Sequence, residues 1–188
     1  MLPIGALMME HRVIEKSLKL MTLEKKRMDN GKIDNDVVRS LVEFLTVFAD
    51  KSHHGKEEAI LFPALKGKSQ SYEFDEITSN LMKEHASIRK HLRTIQNALQ
   101  WFSEGDRESA ETISRELGEI VDIYTRHVVK EDGPFFQSAM KSLSEEEKED
   151  MLCAMQEFDL DFTINHYEKM VDEKYTALIG STVKGDNP

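Results

Sequence analysis

His53-His54-Gly55-Lys56-Glu57-Glu58 and His127-Val128-Val129-Lys130-Glu131-Asp132 are two copies of one phrase, His-x-x-Lys-Glu-acidic, set 74 residues apart. A second phrase repeats at the same distance: Glu10-His11-Arg12-Val13-Ile14 and Glu84-His85-Ala86-Ser87-Ile88 both read Glu-His-x-x-Ile. Phe62 and Phe136 share the offset, as do Leu18 and Leu92. Two unrelated motifs repeating at one spacing indicate a duplicated unit, here two helical hairpins related by a pseudo-two-fold axis.

Around these phrases the apolar residues fall at helical spacing. Ile4, Leu7, Met8, Ile14, Leu18 and Met21 make one stripe, closed by Asp29-Asn30-Gly31. Asp34 is placed to cap a second helix reaching about Leu65, with Val38, Leu41, Val42, Leu45, Phe48 and Ala49 inward. After a loop over 66–71, Ile77, Leu81, Ile88, Leu92, Ile95 and Leu99 define a third helix to about Phe102, stopped at Gly105-Asp106. Ile113, Leu117, Ile120 and Ile123 mark a fourth, to about Met140, which Gly133-Pro134 should bend. Ser144 with Glu147 reads as a capping box opening one further helix to about Ile179, before a frayed tail. The expected fold is all-α: an up-down-up-down four-helix bundle over residues 1–141, with an additional C-terminal helix and tail, 142–188, packed on the same domain.

Residues three, four and seven apart share a helix face. By that rule His11, His53, His85 and His127 all fall within apolar stripes, one from each bundle helix. Glu57 and Glu131 follow His53 and His127 by four residues, so each pair projects toward one point. Six polar groups buried in a bundle core need partners, and a metal centre supplies them. His54 and Glu58 form a competing i,i+4 pair turned by about 100°. The repeat and the stripe favour His53 and Glu57. His54 is expected at the surface or beside the ligands, with Glu58 and Asp132 as alternates one residue along.

Six N/O ligands are too many for one tetrahedral zinc, and imidazole is wrong for calcium or magnesium. Imidazole with carboxylate suits iron, manganese or zinc, and two shared carboxylates describe a dinuclear centre. Ferritin-like bundles use Glu-x-x-His, which does not occur here.

The segments Glu-His-x-x-Ile, His-His-Gly-Lys-Glu-Glu-x-x-Leu-Phe-Pro and His-x-x-Lys-Glu-Asp together resemble the hemerythrin-like (HHE cation-binding) family over about residues 7–140. Within that family the pattern is similar to iron–sulfur-cluster-repair di-iron proteins and iron-sensing hemerythrin-like domains. The resemblance implies two iron ions, with His11, His53, His85 and His127 as terminal ligands and Glu57 and Glu131 as bridges. It departs from the oxygen carriers, which place His-x-x-x-His on the third helix. Here Arg89 stands four residues after His85, and His91 faces elsewhere. Glu10 and Glu84 are expected to hold the imidazoles from outside. Glu15 and Arg89, equivalent in the repeat, are expected to face each other as an ion pair, with Glu15 as a seventh ligand the rival. Tyr124, three before His127, lines the pocket or packs in the core.

Composition bounds the rest. The 188 residues carry a formal net charge of −10, which argues against nucleic acid or an anionic membrane as partner. One cysteine, Cys153, suits a reducing cytoplasm. No apolar run is long enough to span a bilayer, and the apolar Met1–Met9 stretch lacks the basic start of a signal peptide. The expected function is binding, sensing or reacting with a small oxidant (oxygen, peroxide or nitric oxide), or iron and redox-stress handling. The alternatives are reversible oxygen or iron binding without turnover, and a metal-stabilised interaction module that dimerises through its C-terminal helix. Zinc or manganese could stand in for iron.

Overall fold

The structure, a computed structural model, describes residues 2–68, 71–104 and 106–184. The expected stop at Gly105, part of the 66–71 loop and the last residues of the tail lie outside the described residues. Among the described residues six helices run in order: α1 (Pro3–Asp29), α2 (residues 35–65), α3 (Ser71–Ser103), α4 (residues 109–142), α5 (Glu145–Asp159) and α6 (Ile164–Lys184). The first four form the antiparallel bundle, and no described helix is long and apolar enough to cross a membrane.

Local chemistry sets the boundaries. Pro3 occupies the first turn of α1, where its missing N–H is harmless. Gly31, at φ +75°, takes the left-handed conformation that turns the chain. The Asp34 carboxylate accepts from Val37 N at 3.2 Å and opens α2. Ser144 and Glu147 make the reciprocal capping box of α5. Gly133, with φ −84° and ψ −123°, kinks α4 just before Pro134.

The two long interrupted helices are not regular. Within α2 the segments Leu45–His54 and Glu57–Leu61 are π-helical, and within α4 so is Glu131–Phe135. The segments starting at Glu57 and Glu131 are repeat equivalents. Such widened turns recur at functional sites because they re-aim side chains that a regular helix would scatter.

The core is in two apolar parts. One gathers Ile14, Leu41, Phe44, Phe48, Ile88, Ile95, Leu117 and Ile120; the other Leu7, Leu61, Phe62, Phe74, Leu81, Phe135 and Phe136. The histidine–carboxylate layer lies between them in sequence and in space, so water is excluded above and below.

The C-terminal segment differs from the single helix expected. It breaks over residues 160–163 into two helices that pack one after the other on α1 and α2. The break re-aims the chain: α5 buries Met151 and Met155 against the second core, Leu160 is left 83% exposed, and α6 buries Tyr167 and Val171 against the first. The apolar side of α6 is thereby used within the chain.

Candidate metal centre

His11, His53, His54, His85, His127, Glu57 and Glu131 are all fully buried. They fall into two groups, each with ligand-type atoms within 4.8 Å of one another: His11, His53, Glu57 and Glu131, then His54, Glu57, His85 and His127. The two carboxylates reach across both. Glu57 lies 3.7 Å from His53 Nε2 and 3.5 Å from His85 Nε2. Glu131 lies 3.2 Å from both His11 Nε2 and His127 Nε2.

The repeat orients the four principal imidazoles by one rule. Each turns Nε2 inward and engages an outer carboxylate through Nδ1: His53 with Glu10 at 2.8 Å, His127 with Glu84 at 3.0 Å, His11 with Asp132 at 2.7 Å, His85 with Glu58 at 2.7 Å. A cation backs every carboxylate: Lys56 on Glu10, Lys130 on Glu84, Arg12 on Asp132 and Arg89 on Glu58. Phe136 stacks on His11 at 5.7 Å and Phe62 on His85 at 6.1 Å, again repeat mates. Such outer partners fix the ring and the nitrogen it offers.

What the inner atoms lack is informative. His11 Nε2, His53 Nε2, His54 Nε2 and both oxygens of Glu57 and of Glu131 are buried without a hydrogen-bond partner. The short Nε2–oxygen approaches are not aligned as hydrogen bonds. Buried polar groups are nearly always satisfied, and each orphan costs about 1–3 kcal/mol. Seven orphans converging on one layer fit a donor set for cations, and imidazole with carboxylate suits iron, manganese or zinc.

The protonation states follow from crowding. Burial first, then the facing Glu131 and Glu10, push the Glu57 carboxyl well above its ordinary range. Burial also opposes ionising Glu131, but His127 and His11 outweigh it and hold that carboxyl low. Burial holds His53 down at about 4 against the pull of Glu10. For His127 burial works the other way from its neighbours, and Glu131 and Glu84 carry it up to about 9. Two facing carboxylates thus share one negative charge, balanced by one imidazolium.

Several sequence expectations are corrected. His54 is not peripheral. Helix α2 lies between α1 and α3, and its inner arc is wide enough for two neighbouring residues: His53 turns toward His11, and His54 stacks on His85 at 3.7 Å. Its repeat mate Val128 is apolar and buried, a signal that this position faces inward. Glu58 and Asp132 do not enter the inner layer; they are the outer acceptors of His85 and His11. Glu15 and Arg89 do not pair. Being two-fold equivalents, they lie on opposite sides, and each takes a local partner. Glu15 binds Arg12 at 2.9 Å; Arg89 reaches Asp50 at 2.7 Å and Glu58 at 2.8 Å. Asp50, absent from the sequence expectations, also approaches His54 Nδ1 at 3.3 Å.

Tyr124 is fully buried, its ring 5.5 Å from His54 and 6.0 Å from His127, with a hydroxyl that has no partner. Burial, then Asp50, Glu57 and Glu131, raise its phenol well above the usual value, so it stays a donor. Behind it opens a cleft of about 360 Å³ between α1 and α4, lined by Glu15, Leu18, Lys19 and Val128.

Residues 2–139 match the family model described as hemerythrin HHE cation binding domain. A comparison with individually curated proteins finds no match.

Proposed function

The chain belongs to the hemerythrin HHE cation-binding family, and from that premise we propose that it is a non-haem di-iron protein that binds, senses or reduces a small oxidant: oxygen, peroxide or nitric oxide. The observation that carries this is the set of seven unpartnered inner atoms, divided into two groups that share Glu57. His11, His53 and Glu131 would hold one iron, His54, His85 and His127 the other, with Glu57 and Glu131 between them. When bound, such a pair supplies electrons in ones or twos and an open coordination position. The outer carboxylates fix which nitrogen each imidazole offers and aim it at the centre. The two apolar core halves keep bulk water away from whatever binds there. Glu57 gives up its proton on loading, so uptake is linked to pH. The Tyr124 hydroxyl has no acceptor among the described residues and is available to donate a hydrogen bond to an incoming ligand.

Reversible oxygen binding without turnover is the second reading. The specific observation in its favour is His54, which brings the imidazoles to five although the third helix offers only one. A cytoplasmic setting accords with the single cysteine.

The test is anaerobic reconstitution with ferrous iron followed by exposure to air. Two irons per chain and oxo-bridged ferric absorption on oxidation support the proposal. A spectrum bleached by deoxygenation selects carriage over reaction. No iron uptake, or a single zinc per chain, overturns it.

A further inference from the structure

Helix α5 lies beyond the span matched by the family, yet it reaches the candidate centre through a chain of charged groups. Lys56 is fully buried, and its ammonium donates both to Glu10 and to Asp159 Oδ1, the latter at 2.6 Å. The other oxygen of Glu10 holds His53 Nδ1 at 2.8 Å. Asp159, at the end of α5, also accepts from Ser52 Oγ at 3.2 Å. The Phe158 ring presses on Gly55 so closely that a Cβ there would meet Cζ at 2.9 Å. The last turn of α5 therefore bears directly on residues 52–57, the stretch that presents His53, His54 and Glu57.

The repeat supplies an internal control. Glu84, His127 and Lys130 reproduce Glu10, His53 and Lys56, and Lys130 donates to Glu84 as Lys56 does to Glu10. But the Lys130 side chain is 45% exposed and, among the described residues, has no counterpart of Asp159. A charge fully buried and held by two carboxylates has one geometry, whereas an exposed lysine samples many. One half of the centre is held from behind; the other half ends in solvent.

We propose that the end of α5 is a clamp on one metal position: Asp159 and Phe158 hold Lys56, Glu10 and so His53 in place, and displacing α5 releases the metal held by His11 and His53 selectively. Asp159 is a positioning residue, acting through Lys56. The inference rests on the dinuclear reading above.

The test uses the full chain loaded with ferrous iron under anaerobic conditions, with release followed on a colorimetric ferrous chelator. Asp159→Ala is expected to speed the loss of one of the two irons by about 10–100-fold, the usual effect of losing an outer partner, and to leave the other at its wild-type rate. Asp159→Glu restores slow release. Phe158→Ala accelerates the same phase, and Lys130→Ala does not. A second readout needs no metal. In the chelator-treated chain, hydrogen exchange of amides 52–61 rises in Asp159→Ala, while that of 127–135 is unchanged. Release of both irons together, or neither affected, overturns the clamp. A wild-type chain that takes up no iron overturns the dinuclear reading instead, and the exchange experiment still decides whether Asp159 steadies the His53 stretch.

Discussion

Glu57→Met is expected to make the metal-free chain more stable and at the same time nearly indifferent to metal. Glu57 is fully buried, both its oxygens lack partners, and crowding keeps it protonated. In the metal-free chain it therefore contributes no ion pair, only a desolvated polar group worth about 1–3 kcal/mol against folding. Methionine has nearly the same length and flexibility and no such penalty, so the substitution removes the cost without opening a cavity. For a chain of this size each kcal/mol moves the melting temperature by about 2–4 °C, so the metal-free variant should melt roughly 2–12 °C above the metal-free wild type. The metal-loaded comparison runs the other way. A ligand at a thousand times its Kd stabilises by about 4 kcal/mol per site, so two sites give the wild type about 8 kcal/mol. Because Glu57 belongs to both groups of ligand atoms, its loss should remove most of that gain. The assay is thermal unfolding followed by circular dichroism, with chelator and with excess ferrous or manganous ion. A metal-free variant that melts below the metal-free wild type would mean that Glu57 is an ordinary packed residue. Retention of the full metal-induced shift would refute its place at the centre.

Three further outcomes follow from the same geometry. His54→Leu should lower metal affinity by more than the roughly 10–100-fold typical of losing an outer partner, measured by competition with a chelator of known affinity; an unchanged affinity returns His54 to a packing role. Tyr124→Phe should stabilise the metal-free chain by about 1 kcal/mol and weaken azide binding to the oxidised iron-loaded protein about tenfold, read from an absorbance titration. Unchanged azide affinity would remove the hydroxyl from the ligand pocket. The metal-free chain should be most stable near pH 6.5. His53 is held at about 4, so its contribution is present above 6.5 and is lost as pH falls toward 4. His127 is raised to about 9, so its contribution is present below 6.5 and is lost as pH rises through 9. Each displacement is worth about 3 kcal/mol. Urea midpoints at pH 4.5, 6.5 and 9 measure both limbs, and a midpoint that climbs steadily to pH 9 contradicts the His127 assignment.

The 74-residue repeat made much of this architecture legible before any coordinates. It paired His11 with His85, His53 with His127 and Glu57 with Glu131, and helical periodicity pointed all of them inward. Glu10 and Glu84 were also within reach, because each precedes an inward histidine. What escaped did so for identifiable reasons. His54 competes with His53 for a single stripe in the sequence, yet both face the centre. A single stripe has one direction, whereas a helix between two neighbours presents an arc, and each histidine here faces a different neighbour. Glu15 and Arg89 were expected to meet because they are equivalent; two-fold equivalence instead separates residues that lie off the axis. Asp50 was invisible because its repeat mate is Tyr124, which shares none of its chemistry. Lys56 stands in the repeated phrase, but its contact with Asp159 is invisible there: it depends on a helix that has no place in the repeat.

A duplicated frame would by itself produce two equal candidate ligand groups, and three departures from the duplication make them unequal. At one repeat position His54 faces Val128, so one group offers three imidazoles and a carboxylate where the other offers two of each. Extra carboxylate favours the more highly charged ion, and extra imidazole the softer, less charged one. At a second position Asp50 faces Tyr124. A carboxylate and Arg89 thus brace one side, while the other places an unpartnered hydroxyl beside the α1–α4 cleft. At the third, Lys56 is buried against Asp159 while Lys130 lies in solvent. The four Nδ1 contacts, in contrast, obey the repeat without exception. The orienting layer has stayed symmetric while the residues that set donor type, access and retention have diverged. That is the pattern expected where holding two metals is the shared requirement of both halves and treating them differently is the function.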